Sequence, residues 1–416
     1  MKGNKLPLEG IKVADFTQAA AGPVTTKMLA NYGATVVKVE THTRLDNSRT
    51  ASPFKGPPSV DGSGYFANFN SGKYSISFNL RKPKGKEVAL KLISWADVVT
   101  ENFAAGAMER LGLDYESVKK IKPEIIYWSN CQLGHSGPLA NYRGFGHQSA
   151  ALSGMFHISG WPDRNPSPPY GAYTDFITPY FAVTFILASL SYRRRTGKGL
   201  YLDQSQYESA LQFIAPPIMD YQVNKRILGR DGNHLPYAAP HGVYRCQGEE
   251  RWVAIAVFTD DEWMAFCKAI GSQKWTGDAK FNTLSGRKKN EEELDKLIGR
   301  WTIEQTAEEI EALLQKAGVC AHVVESAADL FEDPQLKHRK HFQYAEHAFI
   351  GRHAYDAPSA RLSKTPWKMG PGPCIGQHNE YVLKELLGYS DDDIADLLIE
   401  GAMTTDADLP EFTVQV

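Results

Sequence analysis

Two apolar runs, GIKVADF (10–16) and ATVVKVE (34–40), flank a turn and a segment of helical character that stops at Tyr32-Gly33. Each run is too continuously apolar for a strand with one wet face, so both faces must be covered. Strand, glycine-bearing turn, helix and strand within about 30 residues form a βαβ unit, which requires a parallel sheet. The pattern repeats. YSISFNL (74–80) reads as a strand, KGKEVALKLISWA (84–96) as an amphipathic helix, and DVVTEN (97–102) and IIYWSN (125–130) as further strands. The first ~200 residues are therefore expected to form a doubly wound, Rossmann-like α/β domain.

The pattern changes after residue 200. YLDQSQYESALQFIAPPIMDYQVNKRI reads as a long helix broken at Pro216-Pro217, and RDGNHLPYAAPHG (230–242) as a turn-rich linker. VYRC, a turn at QGEE and RWVAIAV (251–257) suggest a hairpin, followed by helices to about 317, a separate α+β domain. Between the early strands, the polar stretch 41–64 reads as a long functional or mobile loop. The tail carries helices near 379–388 and 391–400.

With 416 residues the chain has room for two or three domains, and a formal net charge of −2 offers no field for nucleic acid or an anionic membrane. Five scattered cysteines without a CxxC pair fit a reducing, cytoplasmic compartment. The first ten residues have no apolar core, so no signal peptide is expected. The longest apolar run, Phe176 to Tyr192, is interrupted by a proline, two threonines and two serines. It is shorter than the ~20 clean residues of a membrane span and reads as a buried core helix.

Several chemistries are disfavoured. Glu40 is placed where a dinucleotide-binding domain keeps its acid, but the first turn, AAAGP, lacks GxGxxG; Glu40 then reads as a solvated strand end. His338, His341, His347 and His353 cluster without an HExxH motif and read as surface histidines on an exposed loop, so no metal is assigned. No GxSxG elbow occurs. Asp175 is different. It is the single acid in YTDFITPYF (173–181), among Tyr173, Phe176, Ile177, Tyr180 and Phe181. With Thr178 available to cap a helix beginning near Pro179, Asp175 falls at a strand-to-helix junction, where open α/β sheets gather ligands. A desolvated carboxylate there can act as a nucleophile, and it can equally be a helix cap; residue patterns alone leave both open.

Over nearly its full length the chain resembles the class III coenzyme A transferases, the formyl-CoA transferase and carnitine CoA-transferase (CaiB/BaiF-like) family. The resemblance rests on AGP (21–23) with YGATVVKVE (32–40), NFNSGKYSISFNL (68–80), TENFAAGAMERLGL (100–113), GHSGPLANYRGFG (134–146), the stretch 173–209, and DPQLKHR (333–339), EH (346–347) and GQHNEYVLKELLGYS (376–390) in the tail. It implies that Asp175 attacks an acyl-CoA thioester, forming an aspartyl anhydride and then an aspartyl-CoA thioester that passes coenzyme A to a carboxylic acid. Matching positions imply coenzyme A contacts at Ala20 and Ala21, at Phe78, Asn79, Leu80 and Arg81, at Asn102, Phe103, Ala104 and Arg110, and at Arg143, Gly144, Phe145 and Gly146. Coenzyme A is then a substrate, and no tightly bound cofactor is expected.

The resemblance also implies a large domain from residues 1–205 and 326–416, a linker at 206–242 and a small domain at 243–325. Two chains would interlock as a homodimer, with a related second subunit as the other arrangement. Three departures bear on substrate. Thr41 replaces an arginine that some members place after the second strand, leaving His42 or Arg44 to serve; Ala20 replaces a glutamine beside the reaction centre; and GNHLPYAAPHG (232–242) replaces a glycine-rich covering loop. These point away from oxalate and towards a bulkier acid, with succinyl-CoA as a donor and an aryl or branched (di)carboxylic acid as acceptor. Two alternatives share the fold: a 2-methylacyl-CoA racemase, which would need a histidine where Phe145 stands and has His147 only two residues on, and a non-catalytic subunit of a two-subunit transferase.

Overall fold

The computed structural model describes residues 6–271 and 273–414; the N-terminal reading made above falls partly on residues outside these. Two compact units are present. One takes the chain up to Phe156, Pro168–Ile227 and the chain from Lys337; the other takes His157–Ser167 and Leu228–Leu336.

The first unit is built on six parallel strands: β1 (Lys12–Asp15), β2 (Thr35–Glu40), β3 (Tyr74–Ser77), β4 (Val98–Glu101), β5 (Ile126–Cys131) and β6 (Leu200–Ser205). Their order is β3-β2-β1-β4-β5-β6. Register explains the continuous apolar runs. Val13, Val36, Val98 and Ile126 point to one face, where they meet Leu29, Ala182 and Ile186. Their neighbours Ala14, Val37, Val99 and Tyr127 point to the other, where they meet Val88, Leu92 and the C-terminal Val382, Leu383 and Leu397. Side chains alternate along a strand, so a sheet covered on both sides needs apolar residues at successive positions.

The chain crosses from β1 to β2 through α1 (Ala21–Asn31) and from β3 to β4 through α3 (Pro83–Trp95), which opens on a proline. Gly22 is required for close packing: a Cβ there would lie 2.3 Å from that of Thr17.

Several expectations need correction. Residues 200–205 are not the start of a helix but strand β6, paired along its whole length with β5. Its Leu200/Leu202 against Tyr201/Asp203 alternation has a period of two. The following helix breaks at Gln212–Ile214, and Pro216 and Pro217 sit in the first turn of the next helix, Ala215–Asn224. First-turn N–H groups have no partner within a helix, so proline does little harm there.

The polar stretch after β2 is not free. It forms a short turn of helix at Asn47–Thr50 and then α2 (Gly64–Phe69). Arg49, fully buried, binds Glu40 through two 2.8 Å hydrogen bonds and Asp61 at 2.7 Å, and stacks 3.5 Å from the Phe66 ring centroid. Glu40 is therefore an internal ion-pair partner and not a solvated strand end. The histidine segment is a hairpin, β10 (Phe342–His347) with β11 (Gly351–Asp356). His338 is exposed, but His347 is buried and its Nδ1 accepts from the N–H groups of Phe349 and Ile350. Among the described residues no group of three or more His, Cys, Asp or Glu side chains is arranged to hold a metal.

The second unit has the antiparallel sheet β7 (His241–Arg245), β8 (Trp252–Ala256) and β9 (Cys320–Val323). One face packs on the helices Asp260–Ala269, Glu291–Thr302 and Ala307–Lys316 through Val253, Ile255, Phe266, Leu294, Ile298 and Ile310.

Candidate active site

The strand order reverses at β1, which lies between β2 and β4, and open sheets bind ligands at the carboxyl ends of the strands beside such a reversal. The loops leaving β1 and β4 are tied together there. Asn102 Oδ1 accepts from the Gln18 N–H at 2.7 Å, and its Nδ2 donates to the Gln18 carbonyl at 2.8 Å. Ala19 adopts a positive φ of 63°, held by its N–H donating to Asp46 Oδ1 at 2.8 Å. That conformation is costly for a residue with a side chain and persists only where its surroundings dictate it. Asp46 is in turn bound to Lys38 at 2.9 Å, and Lys38 donates to the Thr17 carbonyl. Beneath the turn, burial alone would raise the Asp15 carboxyl. Lys73 and Lys38, with hydroxyl donors from Thr17 and Thr26, bring it below the usual carboxylate range. Burial lowers the Lys73 ammonium to about 8.

Asp175 sits in the first turn of the helix Tyr173–Thr196. This helix begins six residues before Pro179, so Asp175 is within it and not at a strand-to-helix junction. Thr178 is buried in the second turn and does not cap it. Pro179 has no N–H to offer the carbonyl four residues back, which is that of Asp175. Three residues set the surroundings of the carboxylate: Gln206 and Thr174, which sequence reading did not supply, and Gly146, which it named only as a coenzyme A contact. Gln206 Nε2 donates to Asp175 Oδ1 at 2.9 Å and lies 3.3 Å from Asn130 Oδ1. Thr174 donates to the Gly146 carbonyl at 2.9 Å, joining the helix to the 143–146 segment. Gly146 is the third: a Cβ at that position would lie 2.8 Å from Asp175 Cγ. Burial raises the Asp175 carboxyl to about 6, against the lowering effect of the Gln206 hydrogen bond. Tyr65 of α2 is close enough to feel this charge; burial and then Asp175 raise its phenol to about 12.

The aromatics around Asp175 in sequence do not surround it in space. At 3.6 residues per turn, positions 173, 176, 177 and 180 share one face and 175 lies on another. Tyr173, Phe176, Ile177 and Tyr180 line a cavity of about 750 Å³ with Phe69 and Phe213. The apolar run that follows is also only partly a core element. Ile177, Ala182 and Ile186 are buried, but Tyr180, Phe185 and Leu187 are 59%, 45% and 40% exposed. At 24 residues this is the one described helix long and apolar enough, by length and composition, to cross a membrane.

The other expected contacts divide. Ala20 and Ala21 are buried at the N-terminus of α1. Asn102 braces the first turn as described, Phe103 packs against the core, and Ala104 and Arg110 are exposed. Phe78 is 1% exposed, its ring in the core and its N–H donated to the Glu40 carbonyl, so it offers coenzyme A no open surface; Leu80 also leans on that core. Asn79 Oδ1 accepts from the Arg81 N–H at 3.0 Å, and Arg81 is exposed. Arg143, Gly144 and Phe145 are exposed, with the Gln132 amide donating to the Phe145 carbonyl. His42 is buried against Ser77 and Thr404, which leaves Arg44 as the exposed cation of that loop.

Gln206 escaped the sequence reading because the stretch from Tyr201 onward reads as helix, which removes it from the carboxyl end of a strand. Asn130 and Thr174 carry no local pattern that marks them.

A doubly wound sheet with a desolvated, braced carboxylate beside the carboxyl ends of its strands defines an α/β enzyme scaffold suited to acyl transfer. A family model for CoA-transferase family III matches residues 8–379, and the chain belongs to that family. It is 31% identical over 401 residues to succinyl-CoA:glutarate CoA-transferase of Mus musculus, covering 95% of this chain and 90% of that protein. Succinyl-CoA–D-citramalate CoA-transferase of Chloroflexus aurantiacus is 31% identical over 392 residues, covering 94% and 96%. The crystal structure of a CAIB/BAIF family protein from Brucella suis superposes with a TM-score of 0.85 at 31% identity, over 92% of this chain and all of that one.

Proposed function

We propose that this enzyme carries coenzyme A from succinyl-CoA to a dicarboxylic acid through covalent intermediates on Asp175. The observation that carries this is the geometry of Asp175: a half-buried carboxylate with one oxygen bound by Gln206 at 2.9 Å and a glycine pressed against its carbon. The carboxylate attacks the thioester carbon, the C–S bond breaks, and an aspartyl anhydride forms with release of coenzyme A thiolate. The thiolate attacks Asp175 Cγ and expels succinate, leaving an aspartyl-CoA thioester. The acceptor carboxylate then attacks Cγ, and the thiolate takes the acceptor's acyl group from the second anhydride. Burial keeps water from the anhydride, and the N-terminus of α1 at Ala20 and Ala21 is the place in this reading for thioester oxygen or phosphate.

The names of relatives that pair succinyl-CoA with glutarate, D-citramalate or L-malate support succinyl-CoA as donor and a short dicarboxylate as acceptor. The aryl acceptor suggested by 173–181 loses its support, because those rings line a cavity on another face of the helix. Coenzyme A runs along Asn79–Arg81, Asn102–Ala104, Arg110 and Arg143–Gly146, with Arg44 at the adenine-phosphate end. The exposed apolar side chains Tyr180, Phe185 and Leu187, spread around this helix, support an interlocked homodimer, since exposed apolar surface of that kind needs a cover. Five free cysteines fit a cytoplasmic setting. The racemase reading lacks its second base. Phe145 holds that position, and His147 packs edge-on against Phe156.

The test is a matrix of acyl-CoA donors against carboxylic acids, with products read by mass. Succinyl-CoA paired with a dicarboxylate is expected to exchange coenzyme A. Deuterium entering the α-carbon without coenzyme A exchange would replace this reading with the racemase, and a sedimentation mass of a single 46.2 kDa chain would remove the dimer.

A further inference from the structure

We infer that Gln206 makes the two oxygens of Asp175 chemically distinct: Oδ1 is retained through every catalytic cycle, and Oδ2 alone is exchanged with substrate. This rests on the reading of Asp175 as the nucleophile. The asymmetry is in the contacts. Gln206 Nε2 donates to Oδ1 at 2.9 Å, and the Gly146 backbone closes on the same oxygen, where a Cβ would lie 2.9 Å from it. No hydrogen bond reaches Oδ2 among the described residues. The amide cannot turn over without losing both partners. Its other neighbour, Asn130 Oδ1 at 3.3 Å, is also an acceptor, because Asn130 commits its Nδ2 to the Gln204 carbonyl at 2.9 Å. Asn130 is the penultimate residue of β5, and Gln206 opens the helix Gln206–Leu211 directly after β6, so the donor is held between a strand end and a helix start and not on a loop.

The consequence follows from atom balance. Oδ2 attacks the thioester carbon and becomes the bridging oxygen of the anhydride. Thiolate attack at Cγ puts the negative charge on Oδ1, where Gln206 receives it, and collapse expels the donor acid with Oδ2 attached. The acceptor's oxygen then becomes the new bridge, and Oδ1 again carries the charge as the Cγ–S bond breaks. When thiolate takes the acceptor's acyl group, the bridge stays on Asp175 as its new Oδ2. One oxygen of Asp175 turns over per cycle, and rotation of the side chain about Cβ–Cγ is the only way to expose the other. Gln206 is thus a positioning residue that also serves as the oxyanion donor for both steps at Cγ.

The experiment uses the full chain with succinyl-CoA and succinate carrying isotopically heavy oxygen in both carboxylates, run for many turnovers. The peptide containing Asp175 is then analysed by mass. Wild type is expected to plateau at one heavy oxygen. Gln206→Leu is expected to proceed to two and to lose about a hundredfold in rate, the usual effect of removing one oxyanion donor. Two heavy oxygens in wild type would overturn the proposal, and this result needs no variant to fold. A Gln206→Leu enzyme that folds, turns over and still stops at one would also overturn it. No heavy oxygen on Asp175 while exchange proceeds would instead overturn the nucleophile itself.

Discussion

Gly146 and Asp175 are in contact across two helix starts, so closely that a single added carbon on Gly146 would lie 2.8 Å from Asp175 Cγ. The φ of Gly146 is not in the left-handed region, so the need for glycine is one of space and not of backbone freedom.

Gly146→Ala is therefore expected to fold and to fail in catalysis. The methyl group must displace the carboxylate, and a 1 Å displacement of a reacting group costs about a hundredfold. The check is kcat/KM alongside a thermal melt: a near-normal Tm with activity intact would show that the carboxylate has room to spare.

The acid limb of activity is expected to follow Asp175. Its carboxyl is raised to about 6, and only the ionised form attacks, so kcat/KM should fall as pH drops through about 6. Because Gln206 lowers this value, the limb should move to higher pH in Gln206→Leu. Stability runs the other way. A folded-state pKa above the ordinary 3.8 means that ionisation costs native stability, progressively as pH rises from about 4 to about 6. Asp175→Asn should thus be inactive yet more stable at neutral pH, by on the order of 1–3 kcal/mol in a denaturant titration.

Arg49 is a buried cation between Glu40 and Asp61. Arg49→Met leaves Glu40 buried without its partner and should cost about 3–5 kcal/mol. Arg49→Lys should recover little, because an ammonium cannot make the two parallel bonds to the carboxylate or stack on Phe66. Urea midpoints of the two variants decide the matter; a Lys variant as stable as wild type would mean that charge alone suffices.

Acid should loosen the β10–β11 hairpin. His347 is held neutral, lowered to about 4 by burial and by the nearby His353 and Arg49. A histidine whose folded pKa lies below its ordinary 6.5 stabilises the native state fully above that value and loses the contribution as pH falls towards 4. The loss should approach about 3 kcal/mol at the bottom of this window. His347→Gln should flatten this part of the stability profile, and an unchanged profile would move the acid sensitivity elsewhere.

How far residue patterns reach is visible at particular places. The strands β1, β2, β4 and β5 were readable because burial on both faces forces consecutive apolar residues, a local pattern. Strand β6 was not, because its half-exposed alternation runs directly into a helix and only pairing with β5 makes it a strand. The importance of Asp175 was visible as one acid in an apolar run, but its surroundings were misjudged. Sequence neighbours on a helix point in different directions, so the aromatics beside Asp175 line a separate cavity.

The linear chain therefore determined the alternating strand-helix scaffold and singled out Asp175 as one acid in an apolar run, since each depends on patterns within a few residues. Only the tertiary structure decided which groups meet that acid. Gln206 is 31 residues away in sequence, and Gly146 reaches Asp175 from a different helix. Their approach is dictated by where the sheet ends its strands and by how closely helices without side-chain bulk can pack, and neither condition is encoded in any one segment.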